Sequence, residues 1–239
     1  MRFGVVTWNL RKGLGTLGMR PEFSAIGEAI QGLDPQISCC QEVLRPRRGQ
    51  AQDRALALAL SQHHRFTGHA ANLRGVHGLA TFSSFPVSRH VHEDISTNPL
   101  EQRAILHVRL HPSAGRTLHV FNVHFGLTRR QRASQAEMLA EFLRSKVRAH
   151  EPFIIAGDFN ERDRALEQHL LRSLGAHNAL AHEPLSARRT WPVRRPLFPL
   201  DRIYYRGLEL EHARVLRGHA WHGLSDHLPI HAVFSLHDH

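Results

Sequence analysis

Short runs of apolar residues, bounded by Gly, Pro, Asn and Asp, are the feature that most restricts how this chain can fold. Runs of this length are typical of β-strands, and they are too short to cross a membrane as helices. Even the stretch at residues 153–156 is only strand-sized. The predicted strands cover residues 2–8, 36–43, 78–83, 103–110, 116–124, 153–157, 200–205 and 228–234.

Four stretches between these strands have helical spacing instead. In the clearest of them, Thr128 can cap the first turn, and Gln131, three residues later, can complete a reciprocal capping box. Gly175 stands just past the last of them, where a left-handed residue ends a helix. The predicted helices cover residues 21–31, 51–62, 128–150 and 163–174.

Strands outnumber helices, and they occur both as hairpin-like neighbours and as pairs separated by a helix. This arrangement predicts a mixed α/β fold built in layers. No stretch rich in Gly, Ser or Pro divides the chain, so we expect one domain over residues 1–239. Residues 188–199, rich in Pro and Arg, are expected to form a surface loop.

Composition excludes several protein classes and indicates the charge of the partner. Hydrophobic residues make up 41% and charged residues 22% of the chain, which fits neither a disordered nor a fibrous protein. The net charge of +10 predicts attraction to nucleic acid, phospholipid surfaces or small phosphorylated molecules. Cys39 and Cys40 are expected to be buried, reduced thiols. The first residues lack the pattern of a secretory signal, so a cytoplasmic location is expected.

Polar side chains recur where the predicted strands end. Asn9, Glu42 and His124 each follow an apolar run, and Asp158 and Asn160 follow another. Taken singly, each is an ordinary cap or turn residue. Asp158 and Asn160 are two residues apart, however, so they point to the same side of an extended chain. A carboxylate beside an amide suits a site that holds a hydrolytic water and a phosphoryl oxygen.

A second group of polar residues, at 225–227, precedes the last predicted strand. Asp226 and His227 are adjacent, so their side chains point to opposite faces of an extended chain and each needs its own partner. Asp201 is the candidate partner of His227, because a buried carboxylate fixes the tautomer of an imidazole and raises its pKa.

Glu42 can supply a hard oxygen ligand to Mg²⁺ or Mn²⁺, and Asn9 and Asp226 can complete that set. The 21 histidines raise zinc as an alternative, but the clusters at 63–64 and 237–239 lack a strand or helix context that would assemble a tetrahedral site. Most histidines are expected at the surface, including His63, His69, His90, His92, His177 and His212.

Six motifs, in order along residues 7–229, resemble those of the endonuclease/exonuclease/phosphatase (DNase I-like) superfamily. They are Thr7-Trp8-Asn9, Cys40-Gln41-Glu42-Val43, Asn122-Val123-His124, Gly157-Asp158-Phe159-Asn160, Leu200-Asp201-Arg202-Ile203 and Ser225-Asp226-His227-Leu228-Pro229. Residues 9–13 and 190–192 are most similar to a compact bacterial branch. The resemblance implies a four-layered α/β sandwich, in which two mixed, mainly antiparallel β-sheets pack face to face with helices outside.

The resemblance also implies roles for the metal and water side of the site. Glu42 would be the principal metal ligand, with Asn9 beside it and Asp226 supporting the metal. Asp158 would orient or deprotonate the attacking water. Asn160 would bind a phosphoryl oxygen.

On the phosphate side, His227, held by Asp201, would contact the scissile phosphate and stabilise charge in the transition state. His124 would lie opposite His227, and Arg103 would add a phosphate contact. In the deoxyribonuclease branch a glutamate pairs with the histidine that matches His124. The corresponding stretch, residues 75–83, has no acid, so the partner of His124 is open.

The chemistry so implied is hydrolysis of a phosphodiester with Mg²⁺ or Mn²⁺, and DNA is the expected substrate. Arginine clusters at 11–12, 45–48, 129–130 and 188–195 flank the motifs and favour nucleic acid. A phospholipid headgroup or small phosphate ester is the alternative substrate, and a catalytically silent DNA-binding protein is a third hypothesis. Abasic-site cleavage is disfavoured because both tyrosines lie in the strand at 200–205. We expect a monomer without an obligate protein partner.

Overall fold

A computed structural model describes residues 1–15, 23–162 and 164–236. Within them, the helices are α1 (Phe23–Gln31), α2 (Gln52–Leu60), α3 (Arg129–Lys146), α4 (Ala165–Leu174) and α5 (His219–His222). The strands are β1 (Arg2–Asn9), β2 (Ile37–Pro46), β3 (His63–Asn72), β4 (Gly75–Ser83), β5 (Val87–Asp94), β6 (Ala104–Leu110), β7 (Leu118–His124), β8 (Phe153–Asp158), β9 (His177–Asn178), β10 (Asp201–Arg206), β11 (Glu209–Val215) and β12 (Ile230–Ser235).

The strands form two six-stranded sheets. The first has the order β11-β12-β1-β2-β4-β3 and the second β5-β6-β7-β8-β10-β9. Each sheet contains one parallel pair, β1 with β2 and β7 with β8, and its other pairings are antiparallel. The sheets are therefore mixed and mainly antiparallel, as predicted.

The two sheets pack against each other through one buried apolar cluster. This cluster joins Trp8 and Leu79 of the first sheet to Val108 and Ile154 of the second. Burying such a side chain contributes about 1.5–3 kcal/mol. Helices α1 and α2 pack with the first sheet, and α3 and α4 cover the outer face of the second. The result is the predicted four-layered α/β sandwich.

Each parallel pair is joined by a helical crossover, β1-α1-β2 and β7-α3-β8. A parallel connection must return the chain to the same end of the sheet before the second strand starts. Each pair therefore ends at one end of its sheet, and the 2.9 Å hydrogen bond between Asn9 at the end of β1 and Asp158 at the end of β8 places both ends at the same end of the sandwich. The antiparallel strands β10 and β12 begin at that same end, since they pair with β8 and β1.

The helix boundaries follow the end signals in the sequence. Thr128 and Gln131 form a reciprocal capping box at the start of α3, and Gly175 ends α4 in a left-handed conformation with φ 59°. Helix α3 ends at Lys146, earlier than predicted, because Val147 is already extended. The predicted first residues of two helices, Pro21 and Asp163, lie outside the described residues. No helix of the described residues is long and apolar enough to span a membrane.

The long strands that sequence reasoning missed, β3, β5 and β11, all lie at sheet edges. Their outward positions are exposed and polar, as in β5, where exposed residues outnumber partly buried ones. Charged and polar side chains on an edge discourage pairing with another chain, but they also remove the apolar run on which strand prediction depends.

Residues 188–199 are irregular, as predicted, but they are only partly a surface loop. Thr190 and Val193 are buried, and the Thr190 hydroxyl accepts a hydrogen bond of 3.2 Å from the backbone N–H of Asp201. The N–H of Val193 donates to the carbonyl oxygen of Asp226 at 2.8 Å. The segment therefore packs against two of the predicted site residues. Cys39 and Cys40 are buried free thiols, as expected.

Candidate active site

All nine side chains singled out from the sequence lie at the end of the sandwich where the parallel strands terminate. Asn9, His124 and Asp158 end β1, β7 and β8, and Asp201 begins β10 directly opposite Asp158. Glu42 lies within β2. The other four occupy the adjoining segments: Arg103, Asn160, Asp226 and His227.

Asp158 occupies the centre of this group and is buried. Its Oδ2 accepts a hydrogen bond of 2.9 Å from the Asn9 amide, which links the two sheets. Its Oδ1 accepts one of 2.9 Å from the backbone N–H of Asn160. Strand β8 passes close to β7 at Gly157, where φ is 157°. A Cβ at this position would lie 2.0 Å from the carbonyl oxygen of Val123, so a residue without a side chain is needed. The backbone thus fixes the carboxylate between the sheets.

His227 and Asp201 form a buried pair beside Asp158. Nδ1 of His227 donates to Oδ2 of Asp201 at 2.8 Å, and Nε2 of His227 lies 3.9 Å from Oδ2 of Asp158. The turn before β12 is anchored on both sides. The Trp8 indole donates to the His227 carbonyl at 2.8 Å, and the Ser225 hydroxyl donates to the Asn9 carbonyl at 2.6 Å.

The buried charges of this centre raise the pKa values of both Asp158 and His227. Burial and the neighbouring Asp201 carboxylate raise the pKa of Asp158 well above its usual value. Burial alone would lower the pKa of His227, but the Asp201 charge and hydrogen bond outweigh it and raise that pKa to about 10. His227 is therefore an imidazolium at neutral pH. Asp158, Asp201 and His227 offer ligand atoms within 4.8 Å of one another.

A register shift in β2 determines the backbone conformation of Glu42. The register between β2 and β4 shifts between Cys40 and Val43, and Glu42 adopts a left-handed conformation with φ 52°. Its carboxylate pairs with the ammonium of Lys12, which is also left-handed at φ 57°. Burial would raise the pKa of Glu42, but the Lys12 charge and hydrogen bond hold it below its usual value.

Asp226 lies on the same side as the turn that follows β1. Its Oδ2 accepts from the Trp191 indole at 3.2 Å and lies 3.4 Å from Nε of Arg11. Its Oδ1 is buried without a hydrogen-bond partner in the described residues. The backbone N–H of Arg11 donates to the side-chain oxygen of Asn9 at 2.9 Å. Asn9, Glu42 and Asp226 thus offer oxygen atoms as ligands, of which Oδ1 of Asp226 has no partner in the described residues while the Asn9 oxygen accepts from Arg11 and Glu42 pairs with Lys12.

His124 lies on the other side of Asp158, with Nε2 3.6 Å from Oδ2 of that carboxylate. Burial, followed by the Arg103 charge, lowers the pKa of His124 well below its usual value. Nδ1 is buried and has no partner in the described residues. The site therefore holds one neutral and one charged histidine on either side of a carboxylate.

Arg103 reaches the site, but its guanidinium already has several partners. It donates to the carbonyls of Phe125 and Gln102 at 3.0 and 3.1 Å and to the carboxylate of Glu101 at 2.6 Å. The Asn160 amide donates to the same Phe125 carbonyl at 2.9 Å. Phe125 therefore fixes two side chains that were assigned to phosphate contacts.

Sequence reasoning missed two histidines near His124. His69, expected at the surface, is partly buried, with its ring centroid 6.3 Å from that of His124 and 5.9 Å from that of His77. Both ring nitrogens of His69 are buried without a partner in the described residues. The register of β3 shifts between Gly68 and Ala70, so His69 is the extra residue of a bulge. The lack of an acid in residues 75–83 was the one signal of an unusual neighbour for His124.

Asn122, quoted only as part of a motif, joins the sheets beneath the site. Its amide donates to the carbonyls of Cys40 and Ala80 at 3.1 and 2.9 Å, and its oxygen accepts from Gln41 at 2.8 Å. These bonds cross from β7 to β2 and β4. They hold the strands that carry His124 and Glu42 in a fixed relation.

The arrangement can bind an anion and accept a proton within one small volume. A buried carboxylate lies within 4 Å of an imidazolium and of a neutral imidazole. Such a group stabilises negative charge on oxygen and removes a proton from a bound water.

Comparison with known proteins agrees with this geometry. Residues 6–227 match the model of the Endonuclease/Exonuclease/phosphatase family. Uncharacterized protein YbhP of Escherichia coli K12 is 29% identical over 245 residues, which cover 98% of this chain and 96% of that protein.

Solved structures share the fold at low identity. The endonuclease/exonuclease/phosphatase from Beutenbergia cavernae has a TM-score of 0.85 at 17% identity, covering 98% of this chain and 72% of that chain. The human nocturnin catalytic domain, solved with a bound sulfate anion, has a TM-score of 0.79 at 24% identity, covering 99% and 95%. The match over residues 6–227 shows that the chain belongs to the Endonuclease/Exonuclease/phosphatase family, whose members hydrolyse phosphoester bonds.

Proposed function

We propose that this protein is a divalent-metal-dependent phosphodiesterase and that it hydrolyses DNA by in-line attack of an activated water. The observation that carries the proposal is the buried Asp158 carboxylate, set between His124 and the His227–Asp201 pair. In-line hydrolysis needs a proton acceptor for the water and positive charge near the phosphoryl oxygens, and this centre supplies both.

In the proposed reaction, Asp158 orients the water and takes its proton as the water oxygen bonds to phosphorus and the ester bond on the opposite side breaks. Its raised pKa suits a proton acceptor near neutral pH. The His227 imidazolium, fixed by Asp201, stabilises the negative charge that develops on the phosphoryl oxygens. Asn160 and His124 flank Asp158 and contact the same group.

The oxygen atoms of Glu42, Asn9 and Asp226 would hold the metal, which we propose to be Mg²⁺ or Mn²⁺. The buried, unpartnered Oδ1 of Asp226 and the all-oxygen donor set fit a hard divalent cation. When bound, such a cation polarises a phosphoryl oxygen as a Lewis acid. Asp158, Asp201 and His227 also lie within 4.8 Å of one another, but His227 is an imidazolium at neutral pH, so neither of its ring nitrogens has a lone pair for a metal.

Exposed arginines around the site support DNA as the substrate. Six of them lie in the predicted flanking clusters, are exposed and make no side-chain hydrogen bond or ion pair with the described residues: Arg47, Arg48, Arg129, Arg130, Arg194 and Arg195. Two others are structural instead. Arg45 pairs with Asp53, and Arg188 donates to the Ala181 and Glu183 carbonyls. A distributed basic rim suits a long phosphodiester backbone better than a single phosphate.

A substrate panel tests this proposal. Purified protein with Mg²⁺ or Mn²⁺ is incubated with plasmid, linear duplex and single-stranded DNA, with anionic liposomes and with a phosphomonoester. We expect cleavage of DNA, its abolition by EDTA, and a higher metal requirement in Glu42→Gln. The control Glu28→Gln changes an exposed carboxylate on α1 and should behave like the wild type. Release of headgroup from liposomes with intact DNA would overturn DNA as the substrate and favour the lipid alternative.

We also propose that residues 1–239 act as one domain and that the protein is a monomer. The buried cluster that joins both sheets supports the first part. Sedimentation equilibrium tests the second, and a dimer at micromolar concentration would contradict it.

A further inference from the structure

A cluster of basic residues lies at the opposite end of the sandwich from the Asp158 centre. Strand β7 runs from Leu118, near this cluster, to His124 in the active site. At about 3.3 Å per residue, the two ends are roughly 20 Å apart. We call this cluster the distal basic cleft. Its residues are Arg89, His107, Arg109, His119, Lys146 and Arg148, which line a cavity of about 140 Å³.

The floor of the distal basic cleft is a buried histidine pair. His107 and His119 are each 3% exposed, their rings are stacked at 5.1 Å, and Nε2 of His107 lies 2.9 Å from Nδ1 of His119. Nδ1 of His107 is buried without a partner in the described residues. A buried polar atom without a partner carries a desolvation cost, which a hydrogen bond to a bound ligand would remove.

Basic residues of the cleft occupy directly opposite positions on neighbouring strands. Arg89 on β5 lies directly opposite Arg109 on β6, and Arg109 lies opposite His119 on β7. Like charges in directly opposite positions destabilise a sheet. Nε of Arg109 is buried without a partner, and within the described residues neither Arg89 nor Arg148 has a side-chain hydrogen bond or ion pair. The described part of the protein therefore compensates these charges only in part.

One acidic group belongs to the cleft. Glu151 lies 3.4 Å from Nε2 of His119 and also accepts a hydrogen bond of 2.8 Å from the backbone N–H of Arg148. A single carboxylate therefore faces three arginines and one lysine. Burial, then the charges of His119, Lys146 and Arg89, lower the pKa of His107 to about 3. Both imidazoles are neutral at pH 7, and because one N–H of the pair is used in the hydrogen bond between them, the pair can donate one further N–H.

The cleft opens towards a larger cavity of about 820 Å³, with which it shares Arg109, Arg148 and Glu151. That volume lies within the range of small-molecule sites, about 300–1,000 Å³. A phosphoryl group brings a charge of about −1.5 to −2 and three acceptor oxygens, which matches four cations around an imidazole pair with one free N–H. The buried floor of the small cavity favours a single phosphoryl group over the backbone of a duplex.

We propose that the distal basic cleft binds a small phosphorylated molecule, one phosphoryl group of which lies over the His107–His119 pair between Arg89, Arg109, Lys146 and Arg148. The rest of the ligand extends into the larger cavity. This site is separate from the Asp158 centre and does not depend on the function proposed for it.

Inorganic phosphate and pyrophosphate are the probes for a test by calorimetry and by NMR of the histidine imidazoles. The test variant is Arg89→Gln/Arg148→Gln, and both residues are exposed. The control, Arg54→Gln/Arg172→Gln, removes the same charge from exposed positions on α2 and α4. We expect pyrophosphate to shift the resonances of His107 and His119, at least tenfold weaker binding in the test variant, and unchanged DNA cleavage in both.

Three results would overturn the proposal. The first is equal binding by the test and control variants, which would show only general attraction to a basic protein. The second is a shift confined to His124 and His227, which would place the anion in the active site. The third is displacement of pyrophosphate from His107 and His119 by duplex DNA with 5′-hydroxyl ends, which would make the cleft a nucleic-acid contact.

Discussion

The pairing of His227 with Asp201 determines which site histidine carries a charge. His227 has a carboxylate partner at 2.8 Å, whereas His124 faces other histidines and Arg103. Two imidazoles on either side of Asp158 therefore differ in protonation at the same pH. In the proposed reaction, the charged one stabilises phosphoryl oxygen while the neutral one serves as a hydrogen-bonding group.

Replacement of Asp201 by asparagine tests this difference. Asp201 is the main cause of the raised pKa of His227, so its loss should lower that pKa by at least one unit. The imidazolium would then be lost at lower pH, and the alkaline limb of the kcat profile would move down in pH. An NMR titration of His227 in the metal-free protein measures the pKa directly. The exposed-site variant Asp34→Asn should titrate like the wild type, and an unchanged pKa in Asp201→Asn would contradict the account.

Residues at strand ends could be predicted, whereas those placed by bulges could not. Asp158 and Asp201 were found because apolar runs end beside them. His69 and the aim of Glu42 depend on register shifts in β3 and β2, which no local pattern signals. The sequence identified Lys12 only as part of a basic cluster. Its ion pair with Glu42 depends on a tight turn in which Arg11 and Lys12 are both left-handed, and no local pattern predicts that turn.

At the scale of elements, the two parallel strand pairs position the site. All four strands are buried along most of their length and contain apolar runs that reveal them in the sequence. The edge strands β3, β5 and β11 are polar on one face and were missed for that reason. Layer order and the inner strands could therefore be predicted from the sequence, while the width of each sheet could not.

Gly157 tests how closely β8 must approach β7. In Gly157→Ala, the new Cβ would lie 2.0 Å from the Val123 carbonyl at a φ that L-residues avoid. We expect a loss of about 2–4 kcal/mol in the free energy of unfolding, measured with urea. Gly49→Ala is the matched control, since φ is +90° there and no atom lies within 4 Å. It should lose about 1 kcal/mol, and equal losses in both variants would refute the close-approach argument.

For the whole molecule, several buried neutral histidines link folding to pH. Burial lowers the pKa values of His69, His77, His107 and His231 from 6.5 to about 3 or 4. The unfolded chain binds protons at these imidazoles near pH 6.5, but the folded chain does not. Asp158 and His227 act in the opposite sense, because their raised pKa values make the folded chain bind a proton first.

These four groups outweigh the other two, so the free energy of unfolding should fall as the pH drops from 6.5 to 5. Each histidine contributes at most about 1.4 kcal/mol per pH unit, and less where water screens its charge. Urea unfolding at several pH values measures the slope. His231→Gln, which changes none of the residues assigned to the active site, should make the slope shallower, and a constant or rising stability over this range would contradict the assignment.

The central claim is that Asp158 lies at the centre of a phosphodiester-hydrolysing site. Its most direct test is the rate of DNA cleavage with Mg²⁺ or Mn²⁺ by the wild type, by Asp158→Asn and by the exposed control Asp34→Asn, all checked for folding by thermal melting. We expect a kcat lower by about 10²–10⁴-fold in Asp158→Asn, with wild-type turnover in the control. Equal rates in the wild type and in a folded Asp158→Asn would contradict it.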